Sequence, residues 1–267
     1  MLPPADVLRR LECYYDAVPR PDADPEDIGP FTLFVSRGAW PFYARPRHGY
    51  DGPPAAAADV AAVRARQHAL GVPETFEWVH DLAPDLLDTI RSSGLHVHQH
   101  PLQVLTDPLA APAPAGVRVR VLDAADPALG PALAVQSVGF ATEGTQVGSA
   151  GRDERDARAA ESPDRAGTFA RRISTGQSVV VVAEDGDGPL CVGMHQPVGD
   201  VTEIVGVATL PAARRRGLGA AVTAALVEDA RRHGVRTVFL SAGSDEVARV
   251  YAKVGFSRVG TACIAEA

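Results

Sequence analysis

Residues 201–234 constrain the fold more than any other stretch, because an apolar strand, a basic glycine turn and an amphipathic helix follow one another there. Residues 201–210 are mostly apolar and end at Pro211, which cannot donate a hydrogen bond to a sheet. Gly217 and Gly219 follow, and a helix with one apolar face begins there. Backbone amides at such a helix start point toward an anion, so the pattern predicts a phosphate site.

The glycine turn differs from the two common nucleotide-binding loops. A Walker loop requires Gly-x4-Gly-Lys-Ser/Thr, and the sequence after Gly217 does not supply it. A dinucleotide loop requires Gly-x-Gly-x-x-Gly, but the last position is Val222. The pattern present is Arg214-x-x-Gly217-x-Gly219. It resembles the pyrophosphate loop, Gln/Arg-x-x-Gly-x-Gly/Ala, of the GNAT acyl-CoA-dependent N-acetyltransferases.

The helices and strands predicted after the loop follow one another in an order that resembles that of the same family. The sequence predicts a strand over 235–240, a helix over 245–253 and a final strand from Gly255 to about Ile264. The segment Tyr251-Ala-Lys-Val-Gly-Phe256 is similar to the family's Tyr-x-x-x-Gly-Phe. The resemblance implies an α/β (α+β) fold in which helices flank a mixed central sheet.

The resemblance also implies that acetyl-CoA is the co-substrate and that largely backbone groups bind it. The amide of Val207 would polarise the thioester carbonyl. Ser244 departs from the family, which often has asparagine there. The implied acetyl-CoA residues are Val207, Ala208, Thr209, Arg214, Arg215, Arg216, Gly217, Leu218, Gly219, Ala220, Ser244 and Tyr251.

Acyl transfer to an amine requires a base that removes a proton from the amine. Glu203 is the candidate, because it is the one carboxylate in the strand 201–210 and burial there would raise its pKa. In histone-acetyltransferase-type GNAT enzymes, the general-base glutamate lies in a similar Glu-Ile-Val segment. The alternative is a glutamate on a solvated face of the sheet.

Tyr251 is the candidate acid for the departing thiolate, because the hydroxyl of the matching tyrosine lies near the CoA sulfur in similar enzymes. The alternative is an aromatic side chain that only packs beneath the cofactor.

Composition excludes several classes of function. The formal net charge of −7 argues against a nucleic-acid partner, which requires a basic face. The three cysteines cannot form a disulfide framework, so we interpret Cys13, Cys191 and Cys263 as reduced core thiols of a cytoplasmic protein. The sequence has no apolar run of the length that predicts a membrane span, and no apolar core of a signal peptide. The chain is expected to be a monomer with two related halves or a homodimer.

Two domains are expected on either side of the proline-rich linker 106–116. Residues 117–267 carry the family's motifs and form the predicted catalytic domain. Residues 1–105 repeat its order of elements but lack Arg-x-x-Gly-x-Gly, which predicts a degenerate GNAT-like copy without the same CoA site. The charged segment 143–172 is either a solvated helix or a lid on the acceptor side.

Other histidine and tryptophan residues have structural explanations. His96, His98 and His100 alternate on one strand face, where a metal site is the less favoured interpretation, and we predict no metal. His195 either lines the acceptor pocket or is a hydrogen-bonded strand histidine. Trp40 and Trp78 are predicted in the core of the first half.

These observations predict an N-acetyltransferase that moves the acetyl group of acetyl-CoA to a primary amine by direct attack in a ternary complex. Two alternatives stay open: a non-catalytic acyl-CoA-binding or regulatory module, and transfer of a longer acyl group.

Overall fold

The structure is a computed structural model that describes residues 4–38, 42–108, 110–142, 144–161 and 163–267. Trp40 lies outside these residues. The elements in chain order are α1 Pro4–Ala17, β1 Ala23–Ile28, β2 Phe31–Ser36, β3 Ala44–Pro46, α2 Ala57–Leu70, β4 Thr75–Val79, α3 Leu86–Ser92, β5 His96–Leu105, β6 Arg118–Leu122, α4 Leu129–Phe140, α5 Arg152–Glu161, α6 Pro163–Ser174, β7 Val179–Asp185, β8 Gly188–Val198, β9 Val201–Thr209, α7 Leu218–Arg232, β10 Thr237–Ser241, α8 Asp245–Ala252 and β11 Phe256–Glu266.

The chain divides into two compact units, residues 1–102 with 258–267, and residues 103–257. The predicted domains 1–105 and 117–267 stay a prediction, and they differ from these units chiefly in β11. The sequence pattern indicates that β11 is a strand, but a strand's partner depends on tertiary contacts. In the structure Cys263 of β11 pairs with Trp78 of β4.

The first unit is a mixed sheet with the strand order β1-β2-β3-β4-β11-β5. β1 and β2 form an antiparallel hairpin, β2 pairs with β3, and β3 runs parallel to β4. The antiparallel pairing of β2 with β3 reaches Tyr43, whose carbonyl accepts a hydrogen bond from Phe34 N at 3.1 Å. β1 contains Pro25 and acidic residues, so its pattern is typical of a loop, and it is tolerated as an edge strand.

The core of the first unit lies between this sheet and helices α2 and α3. Trp78 is buried there, as predicted, together with Phe31, Phe76, Ile90 and Cys263. Cys13 is exposed, so the interpretation of all three cysteines as core thiols is wrong for this one.

The second unit has the strand order β10-β9-β8-β7-β6, in which β10 is parallel to β9 and the other pairs are antiparallel. Helix α7 packs on one face, where Gly193 of β8 approaches Val222 and Leu226. Helix α4 packs on the other face, where Gly139 approaches Ala208 of β9. The predicted mixed sheet flanked by helices is confirmed, and both faces of β9 are covered.

Candidate active site

A bulge interrupts strand β9 where the thioester is expected. The pairing passes from Met194↔Val205 to Val192↔Ala208, so Gly206 and Val207 both lie opposite one residue of β8. Gly206 has a φ of 64°, which favours glycine, and a Cβ there would lie 2.0 Å from Gln136 Nε2. The bulge therefore takes backbone groups at Val207 out of the regular ladder, next to a glycine that approaches Gln136 of α4.

The glycine turn leads directly into helix α7. Gly217 precedes the helix with a φ of 83°, and Arg215 also has a positive φ of 65°. The helix has no side-chain cap and no acidic residue in its first turn. Within the described residues, the amides of residues 215–220 have no recorded hydrogen-bond acceptor, whereas Ala221 N donates to Gly217 O. Amides of this kind, together with the positive end of a helix dipole, favour an anion.

The side chain of Arg214 points away from this turn. Its Nη2 donates to Gly139 O and Thr142 O, both at 2.8 Å, and its Nη1 donates to Gln146 O at 3.2 Å. Burial lowers the pKa of Arg214. The side chain thus holds the carboxyl end of α4 and the loop after it. That the backbone of Arg214 binds the cofactor stays a prediction. The side chains of Arg215 and Arg216 are exposed, and their binding of the cofactor also stays a prediction.

The loop between α4 and α5 hydrogen-bonds the residues just before the glycine turn and the start of α8. Gly148 N donates to Pro211 O, and Ala212 N donates to Ala150 O. On the other side, Thr145 Oγ1 hydrogen-bonds Glu246 at the start of α8. These contacts fix the loop beside the turn.

Glu203 lies in the buried part of β9, with Gln196 and Phe239 as its strand partners. Its neighbour Ile204 pairs with His195 on the face that α7 covers. Because side chains alternate along a strand, Glu203 is on the α4 face. It is 9 % exposed, so the interpretation as a glutamate on a solvated sheet face is wrong.

Tyr251 lies on α8, with its ring 6.1 Å from that of Phe256 in an edge-on arrangement. Burial raises the pKa of Tyr251, and the nearby Cys191 raises it further. Cys191 in turn accepts a hydrogen bond from Thr209 Oγ1 at 3.2 Å, and burial raises the pKa of its thiol to about 12. Cys191, which sequence reasoning assigned only to the core, therefore contacts Thr209 and raises the pKa of Tyr251.

Two other predicted side chains have structural partners. Ser244 is the N-cap of α8, where its hydroxyl accepts from Val247 N at 3.3 Å. His195 is buried, with its ring nitrogens 3.0 Å from Thr202 Oγ1 and 3.1 Å from Asp229 Oδ2. It faces α7, which favours the hydrogen-bonded strand histidine over a residue of the acceptor pocket.

The charged segment forms two helices, α5 and α6, that contact the rest of the unit. Arg155 is 4 % exposed and donates to Asp187 O in the β7–β8 turn and to Pro189 O at the start of β8. Arg165 contacts Gln136 and Ser137 of α4. The interpretation of this segment as a solvated helix is therefore wrong for both arginines.

Neither a metal site nor a membrane helix is found where the chain is described. No group of three or more His, Cys, Asp or Glu side chains has the arrangement of a metal site within those residues, although His98 and His100 stack at 6.2 Å. None of the described helices is sufficiently long and apolar to span a bilayer. A cavity of about 740 Å³ lies between residues 108 and 110–113 and helix α7, and its lining includes none of the predicted site residues.

Comparisons with known proteins agree with this geometry. Residues 150–256 match the model of the Acetyltransferase (GNAT) family. A GCN5-related N-acetyltransferase from Kribbella flavida superposes with a TM-score of 0.70 at 21% identity, over 97% of this chain and 95% of that chain. A tandem GNAT protein from the clavulanic acid biosynthesis pathway gives 0.58 at 19% identity, over 89% and 78%. A GNAT-like protein from Streptococcus suis gives 0.54 at 12% identity, over 98% of both chains.

A search of curated proteins finds no match. Residues 150–256 match a GNAT acetyltransferase domain, and nearly the whole chain has the fold of GNAT proteins, a tandem GNAT protein among them. The resemblance predicted from the loop is confirmed. The match over residues 150–256 supports an acyltransferase with acyl-CoA-dependent transfer in general.

Proposed function

We propose that the protein transfers the acetyl group of acetyl-CoA to a primary amine, at a single site in residues 103–257. The observation that carries the proposal is the run of amides at residues 215–220 without a recorded acceptor among the described residues, at an uncapped helix start directly after a bulged strand. The pyrophosphate of CoA suits these donors, because it accepts several hydrogen bonds and carries the charge that the helix dipole favours.

The proposal of one site per chain is supported by a contrast between two helix starts. Helix α2 of the first unit has Asp59 in its first turn, and the Asp59 carboxylate accepts from Ala56 N at 2.8 Å. A carboxylate at that position repels a phosphate. Helix α7 has neither a cap nor an acid in its first turn.

In the proposed reaction the neutral amine attacks the thioester carbonyl carbon, with Glu203 taking a proton from the amine nitrogen directly or through water. The backbone at Val207 stabilises the negative charge on the carbonyl oxygen. The carbon–sulfur bond then breaks, and Tyr251 gives its proton to the departing thiolate. Burial keeps the Tyr251 hydroxyl protonated, because it raises its pKa.

Direct attack is favoured over an acetyl-cysteine intermediate. Cys191 is the cysteine next to Thr209, and its pKa of about 12 keeps it a neutral thiol near neutral pH. The thiolate is the nucleophilic form of cysteine, so this thiol is a poor acetyl acceptor.

The test is the Glu203→Gln variant, assayed for amine-dependent release of CoA thiol over pH 6–9. We expect kcat to fall about 10²- to 10⁴-fold, which is the usual loss for a general base, with the Kd for acetyl-CoA unchanged. Glu228→Gln is the matched control, because Glu228 is exposed on α7. Full turnover in Glu203→Gln would show that another group is the base.

A further inference from the structure

Arg165 on α6 is held against helix α4 by neutral partners. Its Nη1 donates to Ser137 Oγ and lies 3.5 Å from Leu133 O, and its Nη2 donates to Gln136 Oε1. Its guanidinium lies 6.0 Å from the centre of the Phe169 ring. The side chain is half-buried, so its charge is only partly solvated.

Several other arginines of the unit contact carboxylates. Arg120 pairs with Asp126 and Glu184, and Arg152 pairs with Asp185. Among the described residues, Arg165 has no carboxylate within 4.0 Å. Burial lowers the pKa of Arg165, and no charged neighbour counteracts it. A partly desolvated cation with neutral partners is stabilised by any anion that binds beside it.

One edge of the Arg165 guanidinium is open. The recorded hydrogen bonds use Nη1 twice and Nη2 once, and within the described residues no acceptor is recorded for Nε. Nε is not buried, so it is reachable by solvent. Nε–H and the second Nη2–H together form a fork, and a carboxylate binds such a fork with two parallel hydrogen bonds.

The Arg165 guanidinium is linked by hydrogen bonds to the strand that carries the proposed reaction centre. Gln136, which accepts from Arg165, donates from Nε2 to Gly206 O at 3.4 Å in the β9 bulge. Two hydrogen bonds therefore connect the guanidinium to the residue before Val207. Glu203 lies on the same α4 face of β9, three residues before Gly206.

We propose that Arg165 binds a carboxylate group of the acceptor, so that the substrate is a small amino acid-like molecule with both a primary amine and a carboxylate. This inference rests on the proposed function, because it assigns the acceptor for that same site. Arg165 is then a binding residue that sets specificity, and Gln136 positions it.

The test compares amino acids with the amines that lack only the carboxylate. The pairs are 4-aminobutyrate with propylamine, 6-aminohexanoate with pentylamine, and L-lysine with cadaverine, each assayed with acetyl-CoA. For at least one pair we expect the wild-type kcat/KM to be about 10- to 100-fold higher for the acid, as a charged hydrogen-bonded pair provides. In Arg165→Gln we expect that preference to disappear, mainly through a higher KM for the acid.

Two further variants separate binding from folding. Arg165→Lys keeps the charge but loses the fork, so we expect an intermediate KM for the acid. Arg171→Gln changes an exposed arginine of the same helix and is expected to behave as wild type. Thermal unfolding of all variants checks that α6 stays folded.

The outcomes distinguish this inference from the proposed function. Amine turnover without any preference for the acids, or an equal loss for both members of a pair in Arg165→Gln, overturns the carboxylate role and leaves the acetyltransferase proposal standing. Absence of turnover with every amine contradicts the proposed function instead. In that case the same acids are titrated calorimetrically into CoA-saturated protein. If the Arg165→Gln variant binds the acids as tightly as the wild type does, the inference is overturned.

Discussion

Replacing Gly219 with aspartate is expected to stabilise the fold while weakening acetyl-CoA binding. Gly219 is the second residue of α7, its φ is not positive, and a Cβ there would meet only Thr209 Oγ1 at 3.9 Å. The substitution therefore causes no clash. An acid in a first turn that has none favours the helix dipole, and glycine is a poor helix former, so we expect a gain of about 0.5–1 kcal/mol.

The same charge opposes a pyrophosphate at the helix start. Two unit charges about 5 Å apart repel by roughly 3 kcal/mol at an effective dielectric constant near 20. This corresponds to a loss of about 100-fold in affinity. Gly217 is a poorer site for the experiment, because its φ of 83° adds backbone strain to any substitution.

The assay is calorimetric titration with acetyl-CoA, combined with urea unfolding of the free protein. Gly219→Asn is the control, because it matches aspartate in size and carries no charge. We expect Gly219→Asn to bind acetyl-CoA much more tightly than Gly219→Asp, with a gap that narrows as salt screens the repulsion. An affinity of Gly219→Asp within about 3-fold of that of Gly219→Asn would refute the phosphate site at this helix.

Two further predictions concern titrating groups near β9. Burial lowers the pKa of His195, so the native state keeps it neutral while the unfolded state takes up a proton below about pH 6.5. The free energy of unfolding should then fall on acidification by at most about 1.4 kcal/mol per pH unit. Urea unfolding between pH 5 and 8 should show that this free energy changes less with pH in His195→Gln than in the wild type. An equal dependence on pH in both proteins would contradict this prediction. Tyr251→Phe should lower kcat about 10²-fold without changing the Kd for acetyl-CoA or the alkaline limb of the rate profile, whereas unchanged kcat would leave Tyr251 a packing role only.

The local elements of the site could be predicted from the sequence because each has a short-range signal. Alternating or continuous apolar residues predicted β9 and β10, and the glycines predicted the turn before α7. Gly206 inside a strand was a signal for the bulge, since glycine weakens a regular strand, but the pairing that defines a bulge is a property of two strands.

Contacts between distant segments could not be predicted in this way. Arg214 has the family's loop position, yet its side chain donates to carbonyls after α4, which depends on how two segments pack. The charges around Arg155 and Arg165 have the composition of a solvated helix, although both side chains are at least half-buried. The partner of β11 is likewise decided by tertiary contacts and not by the strand's own pattern.

The central claim is that one acetyl-CoA site operates per chain, at the start of α7. Calorimetric titration of the wild-type protein with acetyl-CoA tests it most directly, and 3′-dephospho-CoA is the comparison ligand. The account predicts saturable binding with a stoichiometry of one per chain for both ligands, since the proposed site holds the pyrophosphate that they share. No binding, or two equivalent sites per chain, would contradict the account.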